Sequence, residues 1–265
     1  MPSPYRGLTP YTEADAMYFF GRTAEIAIIA ANLAITRLTI FYGPSGVGKS
    51  SVLRAGVIHQ LQQNAAANAA VNGYPEIIPV YFNLWQHDPL AGLAQAVAAA
   101  VQPFWPASAE NFAHASDSVP AFAAQLRTWS EATASDLLIV LDQFEEYFLY
   151  QSGESGPGSF AYELVQAVNT PDLRANFLLS LRDDALARLD HFKGQISFLL
   201  DNRLSIEHLS RAAGREAITR PLEQYNADHS VVYRIEPALV TAVLDQVAHG
   251  KVSLGHYGAG VTATA

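Results

Sequence analysis

Gly43-Pro44-Ser45-Gly46-Val47-Gly48-Lys49-Ser50 fits the pattern G-x-x-x-x-G-K-[ST] at every fixed position. Glycines at these places let the backbone curl until successive N–H groups point at one spot, an arrangement that suits phosphate oxygens. Lys49 adds a point charge for the outer phosphates. Ser50 adds a hydroxyl able to ligate Mg²⁺, at the start of a helix whose positive end faces the same spot. The chemistry predicted is capture of a nucleoside triphosphate. Such a site needs a second carboxylate for the metal at the end of an apolar strand, and Asp142 directly follows Leu137-Leu138-Ile139-Val140-Leu141. Water attack on a phosphate also needs a base or orienting group; Glu145 is the first candidate and Glu146 the next. Arg182 ends the run Leu179-Ser180-Leu181, where a guanidinium can reach a γ-phosphate and act as a sensor. The alternative for Arg182 is a structural ion pair with Asp183 or Asp184.

Positioning these groups requires strand, loop and helix in a set order. Leu38-Thr39-Ile40-Phe41-Tyr42 reads as a buried strand before the glycine loop, and Ser51 to Gln62 reads as a helix after it. Further strand-like runs are Ile77 to Leu84, Leu137 to Leu141, Asn176 to Leu181 and a weaker Arg203 to Ile206, with helical stretches at Leu90–Val101 and Val119–Trp129. Continuous apolar strands alternating with helices predict a parallel sheet covered on both faces, a three-layer α/β fold. Pro79 places the second run at a sheet edge. Ala65 to Gly73 reads as a fraying helix end or loop, and Ser152 to Gly158 as a flexible loop near the carboxylates, either a lid or a plain surface connection. Helical composition resumes at Arg211, is expected to stop at Pro221, and returns from Pro237 to about Ala248. The expected division is a nucleotide-binding domain over 1–210, a short helical extension over 211–248, and a fraying tail over 249–265.

The chain has 265 residues, half of them hydrophobic, a net charge of −9 and no cysteine. That composition excludes a disordered protein, a disulfide framework and a thiolate metal site, and it provides no broad basic face for nucleic acid or an anionic membrane. No apolar run reaches the length of a membrane span, and the N-terminus does not read as a signal peptide, so the expectation is a cytoplasmic protein. The histidines show neither H-x-x-x-H nor H-E-x-x-H spacing, which leaves a zinc site without support. Trp85, Trp105 and Trp129 read as core or edge packing rather than as a base platform.

Pro4-Tyr5-Arg6-Gly7-Leu8-Thr9-Pro10-Tyr11, Phe19-Phe20-Gly21-Arg22, the glycine loop through Ser51, Asp142-Gln143-Phe144-Glu145-Glu146 and Leu181-Arg182-Asp183 together resemble the novel STAND NTPase type 1 family over residues 4 to 248. That family comprises signal-transducing P-loop ATPases related to the AAA+ and NACHT groups, with bacterial members in regulation and anti-phage defence. The resemblance implies a five-stranded sheet of order 5-1-4-3-2, binding of ATP or ADP with Mg²⁺, and placement of Phe20, Gly21 and Arg22 near the adenine. Such domains normally continue through a Gly-x-Pro segment into a winged-helix module and repeats. Here no Gly-x-Pro follows Val247, so the expectation is a C-terminally truncated chain whose self-association or protein partners would depend on missing repeats. The activity expected is slow ATP hydrolysis as a signalling switch. A nucleotide-binding interaction module without turnover is the first alternative. A small-molecule kinase is a weaker one, since no Arg-rich lid occurs in Arg188 to Arg203. An ABC-type ATPase is weaker still, for lack of a Leu-Ser-Gly-Gly-Gln signature.

Overall fold

The computed structural model describes residues 3–105, 121–151, 153, 156–248, 253–254 and 261–262. A 3₁₀ turn at Glu13–Tyr18 leads into α1 (Thr23–Ile35) and then β1 (Leu38–Gly43). The glycine loop opens a continuous helix over residues 49–72: α2 (Lys49–Ser51), a π-helical segment (Val52–Ile58) and α3 (His59–Asn72). There follow β2 (Ile77–Phe82), α4 (Pro89–Val101), α5 (Phe122–Thr133) and β3 (Asp136–Leu141). A 3₁₀ turn at Phe144–Glu146, α6 (Tyr147–Tyr150), α7 (Phe160–Asn169) and β4 (Ala175–Arg182) come next. A 3₁₀ stretch at Asp183–Phe192, β5 (Arg203–Ser205), α8 (Arg211–His229) and α9 (Pro237–Ala248) complete the main body.

The five strands form one parallel sheet of order β2-β3-β4-β1-β5, the order the family resemblance implies, read from the opposite edge. One face packs α1 and the 49–72 helix through Ile29, Leu33, Val52, Leu53, Val57 and Ile58 against Phe41, Leu138, Val140 and Leu178. The other packs α4, α5 and α7 through Leu93, Val97, Leu126, Leu164 and Val168 against Ile40, Val80, Ile139 and Phe177. The sheet is buried on both sides, which is why its strands read as unbroken apolar runs. The helix starts follow capping chemistry: Asp88, Ser159 and Ser210 accept from the N–H groups of Ala91, Tyr162 and Ala213.

Several expectations need correction. The alanine-rich segment after Gln62 does not fray; alanine has the highest helix propensity, and the helix runs to Asn72, stopped by Gly73 at φ +82°. Pro221 does not stop α8, which continues through it to His229. A proline there deprives the Ala217 carbonyl of its helical donor; the ring is buried against the body of the protein, and one turn back the Tyr5 hydroxyl donates to the Ile218 carbonyl at 2.7 Å. In the stretch expected to fray, Ser253–Leu254 pairs antiparallel with Val261–Thr262; the other residues of 249–265 lie outside the described residues. Ser152, Glu154 and Ser155 of the candidate lid also lie outside them, as do Val119 and Pro120 at the expected start of α5. No helix among the described residues is long and apolar enough to cross a membrane.

Candidate functional site

The carboxyl ends of β1, β3 and β4 lie side by side, and the groups they carry converge on one cavity of about 370 Å³. Ser45, Gly46, Gly48, Lys49, Ser50 and Ser51 line it from the loop and helix; Asp142, Gln143, Glu145 and Arg182 line it from the strand ends. Glu146 is not among the lining residues, which separates the two glutamates that sequence left adjacent in rank. The segment Gly7 to Tyr11 closes another side, tied down where the Tyr11 N–H donates to the Ser51 hydroxyl at 3.1 Å.

The loop glycines serve different ends. Gly46 and Gly48 have φ of +76° and +96°, a conformation that side chains rarely adopt, and a Cβ on either would point into open space. Gly43 is fixed by packing instead, since a Cβ there would fall 2.4 Å from the Ile206 carbonyl oxygen. The Lys49 ammonium donates to the Gly43 and Pro44 carbonyls at 2.8 and 2.9 Å, so two of its three donors brace the loop and the third remains for a ligand. Burial lowers the Lys49 pKa, against the opposing pull of Glu145, Asp142 and Asp183. Burial likewise raises the Glu145 carboxyl above the ordinary glutamate range, against backbone N–H groups, one of them from Arg182, and the Lys49 charge. Both groups thus sit where charge is costly, and an anionic ligand beside Lys49 would favour its charged form.

Asp142 is 1% exposed. Its Oδ2 accepts the Tyr81 hydroxyl at 2.8 Å, and its backbone carbonyl accepts the indole N–H of Trp85 at 2.8 Å. Its Oδ1 is buried without a hydrogen-bond partner. A buried carboxylate oxygen left unmatched beside a hydroxyl, Ser50, and a phosphate cradle is the donor set a Mg²⁺ ion takes when phosphate and water supply its other ligands. Among the described residues no three His, Asp or Glu side chains converge as an all-protein metal cage. The Arg182 guanidinium pairs with Asp184 at 2.5 Å; both side chains are about half exposed, so the contact is a weak one and leaves Arg182 free to turn toward the cavity.

A second, apolar cavity of about 220 Å³ adjoins the first and shares Tyr11, Gly48 and Ser51 with it. Tyr18, Phe19, Phe20, Arg22, Val47, Val52, Leu209 and Ala217 complete its walls. Phe20 therefore lines an apolar cavity beside the glycine loop, its ring stacked beneath the Arg220 guanidinium at 4.4 Å. Arg22 is 5% exposed and already engaged: its guanidinium donates to Glu25 at 2.7 Å, to the Val47 carbonyl at 3.3 Å and to the Glu207 carbonyl at 2.7 Å. It ties the loop to the segment after β5. Gly21 faces away from this cavity, with φ +87° and a would-be Cβ only 2.5 Å from the Ala213 carbonyl oxygen. Gly21→Ala is expected to cost about 2 kcal/mol of stability through strain and displacement of α8; a urea midpoint unchanged from wild type would show that α8 adjusts freely.

Sequence reasoning assigned no role to Tyr81 or Gln143, read Trp85 as core or edge packing, which its full burial matches, and reached the Gly7–Tyr11 segment only through the family resemblance. The one available signal was a tyrosine within the apolar run of β2, since a buried phenol needs a partner.

Solved structures share this fold. Aeropyrum pernix ORC1 in complex with DNA matches with a TM-score of 0.56 and 18% identity, over 87% of this chain and 55% of that one. Aeropyrum pernix ORC2, solved in ADPNP-ADP complexes, matches with a TM-score of 0.54 and 18% identity, over 77% and 52%. The Walker-type ATPase PABY2304 of Pyrococcus abyssi matches with a TM-score of 0.56 and 15% identity, over 91% and 66%. The chain thus spans about half the length of the two ORC proteins. No curated protein sequence matches it. At the level of sequence families the match runs over residues 4–255, from the segment beside the phosphate cavity to beyond α9, and the chain belongs to the Novel STAND NTPase 1 family of nucleotide-binding NTPases.

Proposed function

We propose that this chain binds ATP with Mg²⁺ and hydrolyses it slowly, the γ-phosphate selecting between two arrangements of the protein. The observation that carries the reading is the convergence of Lys49, Ser50, Asp142, Glu145 and Arg182 on one cavity beside an apolar slot lined by Phe20. In this scheme Gly46, Gly48 and Lys49 hold the phosphates, Ser50 and Asp142 hold the cation, and the aromatic slot takes the adenine. Bound Mg²⁺ would neutralise charge on the phosphate oxygens. Glu145, with its raised pKa, orients the attacking water and accepts its proton, and Arg182 answers to the γ-phosphate. ORC2 was solved with ADPNP and ADP, which supports a nucleotide in the corresponding place. ORC1 was solved with DNA; a net charge of −9 gives this chain little to offer a nucleic acid. A regulatory or defence role, and partners recruited through further segments, rest on the family alone.

Glu145→Gln tests the assignment. Turnover is expected to fall by about 100-fold or more while ATP affinity holds. An unchanged rate refutes Glu145 as the water-orienting group. Wild-type protein that binds ATP tightly yet releases no phosphate would favour the interaction module without turnover.

A further inference from the structure

We propose that Tyr81 is a positioning residue for Asp142, its hydroxyl clamping one carboxylate oxygen so that only the other faces the metal. The inference rests on the reading of Asp142 as a metal ligand.

Tyr81 lies on β2, next to Asp142's strand and on the sheet face that meets the 49–72 helix. Its hydroxyl has one proton to give, and gives it to Asp142 Oδ2 at 2.8 Å. A tyrosine placed only to fill space would find any nearby backbone carbonyl. This one finds a carboxylate whose second oxygen is buried and unmatched. The phenol is itself held. The Arg54 guanidinium lies over its ring, 5.0 Å from the centroid, and donates to both carboxylate oxygens of Glu13 at 3.2 and 2.8 Å. Arg54 belongs to the π-helical segment just beyond the phosphate loop, and Glu13 opens the 3₁₀ turn that follows the Gly7–Tyr11 segment. Trp85, just past the end of β2, fixes the Asp142 backbone as Tyr81 fixes its side chain. Without the phenol the carboxylate is free to turn about its last torsion, a broad two-fold well, and present either oxygen or neither.

The test is calorimetric titration of the full chain with ATP in EDTA, then with Mg²⁺ added stepwise, on wild type and Tyr81→Phe, with a thermal melt of each. Tyr81→Phe is expected to need about tenfold more Mg²⁺ for half-maximal effect, the size typical of losing a partner that orients a metal ligand. Metal-free ATP affinity is expected to stay within about twofold of wild type, since the phenol touches no phosphate-binding group. In an Asp142→Asn background the same change is expected to alter nothing further, because the group it orients is gone. An unchanged Mg²⁺ requirement in folded Tyr81→Phe overturns the positioning role while leaving the nucleotide site intact. Wild-type binding indifferent to Mg²⁺ would instead overturn Asp142 as a ligand, and the proposal with it. Should Tyr81→Phe not fold, Arg54→Met keeps the phenol and removes the cation above it. A rise of about threefold in Mg²⁺ requirement is then expected from the lost cation–π contact, and no rise overturns the proposal.

Discussion

Replacing Lys49 by alanine is expected to weaken ATP binding about 100-fold, which is roughly 3 kcal/mol and the worth of one or two hydrogen bonds from a charged donor to a charged acceptor. The size follows from the position of the side chain. Its ammonium sits at the floor of the phosphate cavity, half withdrawn from water, with Gly43 and Pro44 carbonyls holding two donors. A polyphosphate would meet a charge already desolvated and aimed, so little ordering remains to oppose binding. The change removes the two Lys49 bonds to the loop, but the left-handed Gly46 and Gly48 and the Arg22 bond to the Val47 carbonyl remain, so the loop is expected to keep most of its shape. Calorimetry with ATP and Mg²⁺, beside a melt within a degree or two of wild type, reads the effect. A mutant that binds within about threefold of wild type would remove the loop from the account of nucleotide binding.

Trp85→Ala is expected to cost about 3–5 kcal/mol, a large part of the stability of a domain this size. The side chain is fully buried and meets Phe82, Phe144 and Phe160 edge-on at 5.1, 5.2 and 5.4 Å between ring centroids. Its removal leaves a large void on the α4–α7 side of the sheet and strips the Asp142 carbonyl of its donor. Urea unfolding measures the loss. Trp85→Phe separates its two parts, keeping most of the ring packing and giving up the N–H. If Trp85→Ala loses less than about 1 kcal/mol, the neighbouring rings close over the space and the cluster is more compliant than its geometry implies.

The parts of the site that sequence revealed are those whose chemistry is written in adjacent residues. A glycine loop, a carboxylate closing an apolar strand and an arginine closing another are each local, and parallel strands in register bring their ends together without further instruction. What sequence hid depends on pairs far apart in the chain. Tyr81 and Asp142 meet only because β2 and β3 are neighbours, and Arg22 reaches Glu207 only because β5 lies beside β1. Local rules also met tertiary override. A proline that should end a helix sits inside α8, where its burial and Tyr5's bond to the Ile218 carbonyl accompany a continuous helix. The sharper ranking of Glu145 over Glu146 came from the 3₁₀ turn at Phe144–Glu146, which directs one toward the cavity and not the other. Neither charge nor spacing distinguishes them.

The sheet's two outer margins bear on how copies of this protein can meet. On one side Pro79 sits within β2 and contributes no N–H; on the other, β5 runs for only three residues. Neither margin presents a long, regular row of donors and acceptors to an incoming strand. Growth of the five-stranded sheet from molecule to molecule is thereby discouraged at both ends, which favours helices and loops among the described residues as the surfaces through which copies meet.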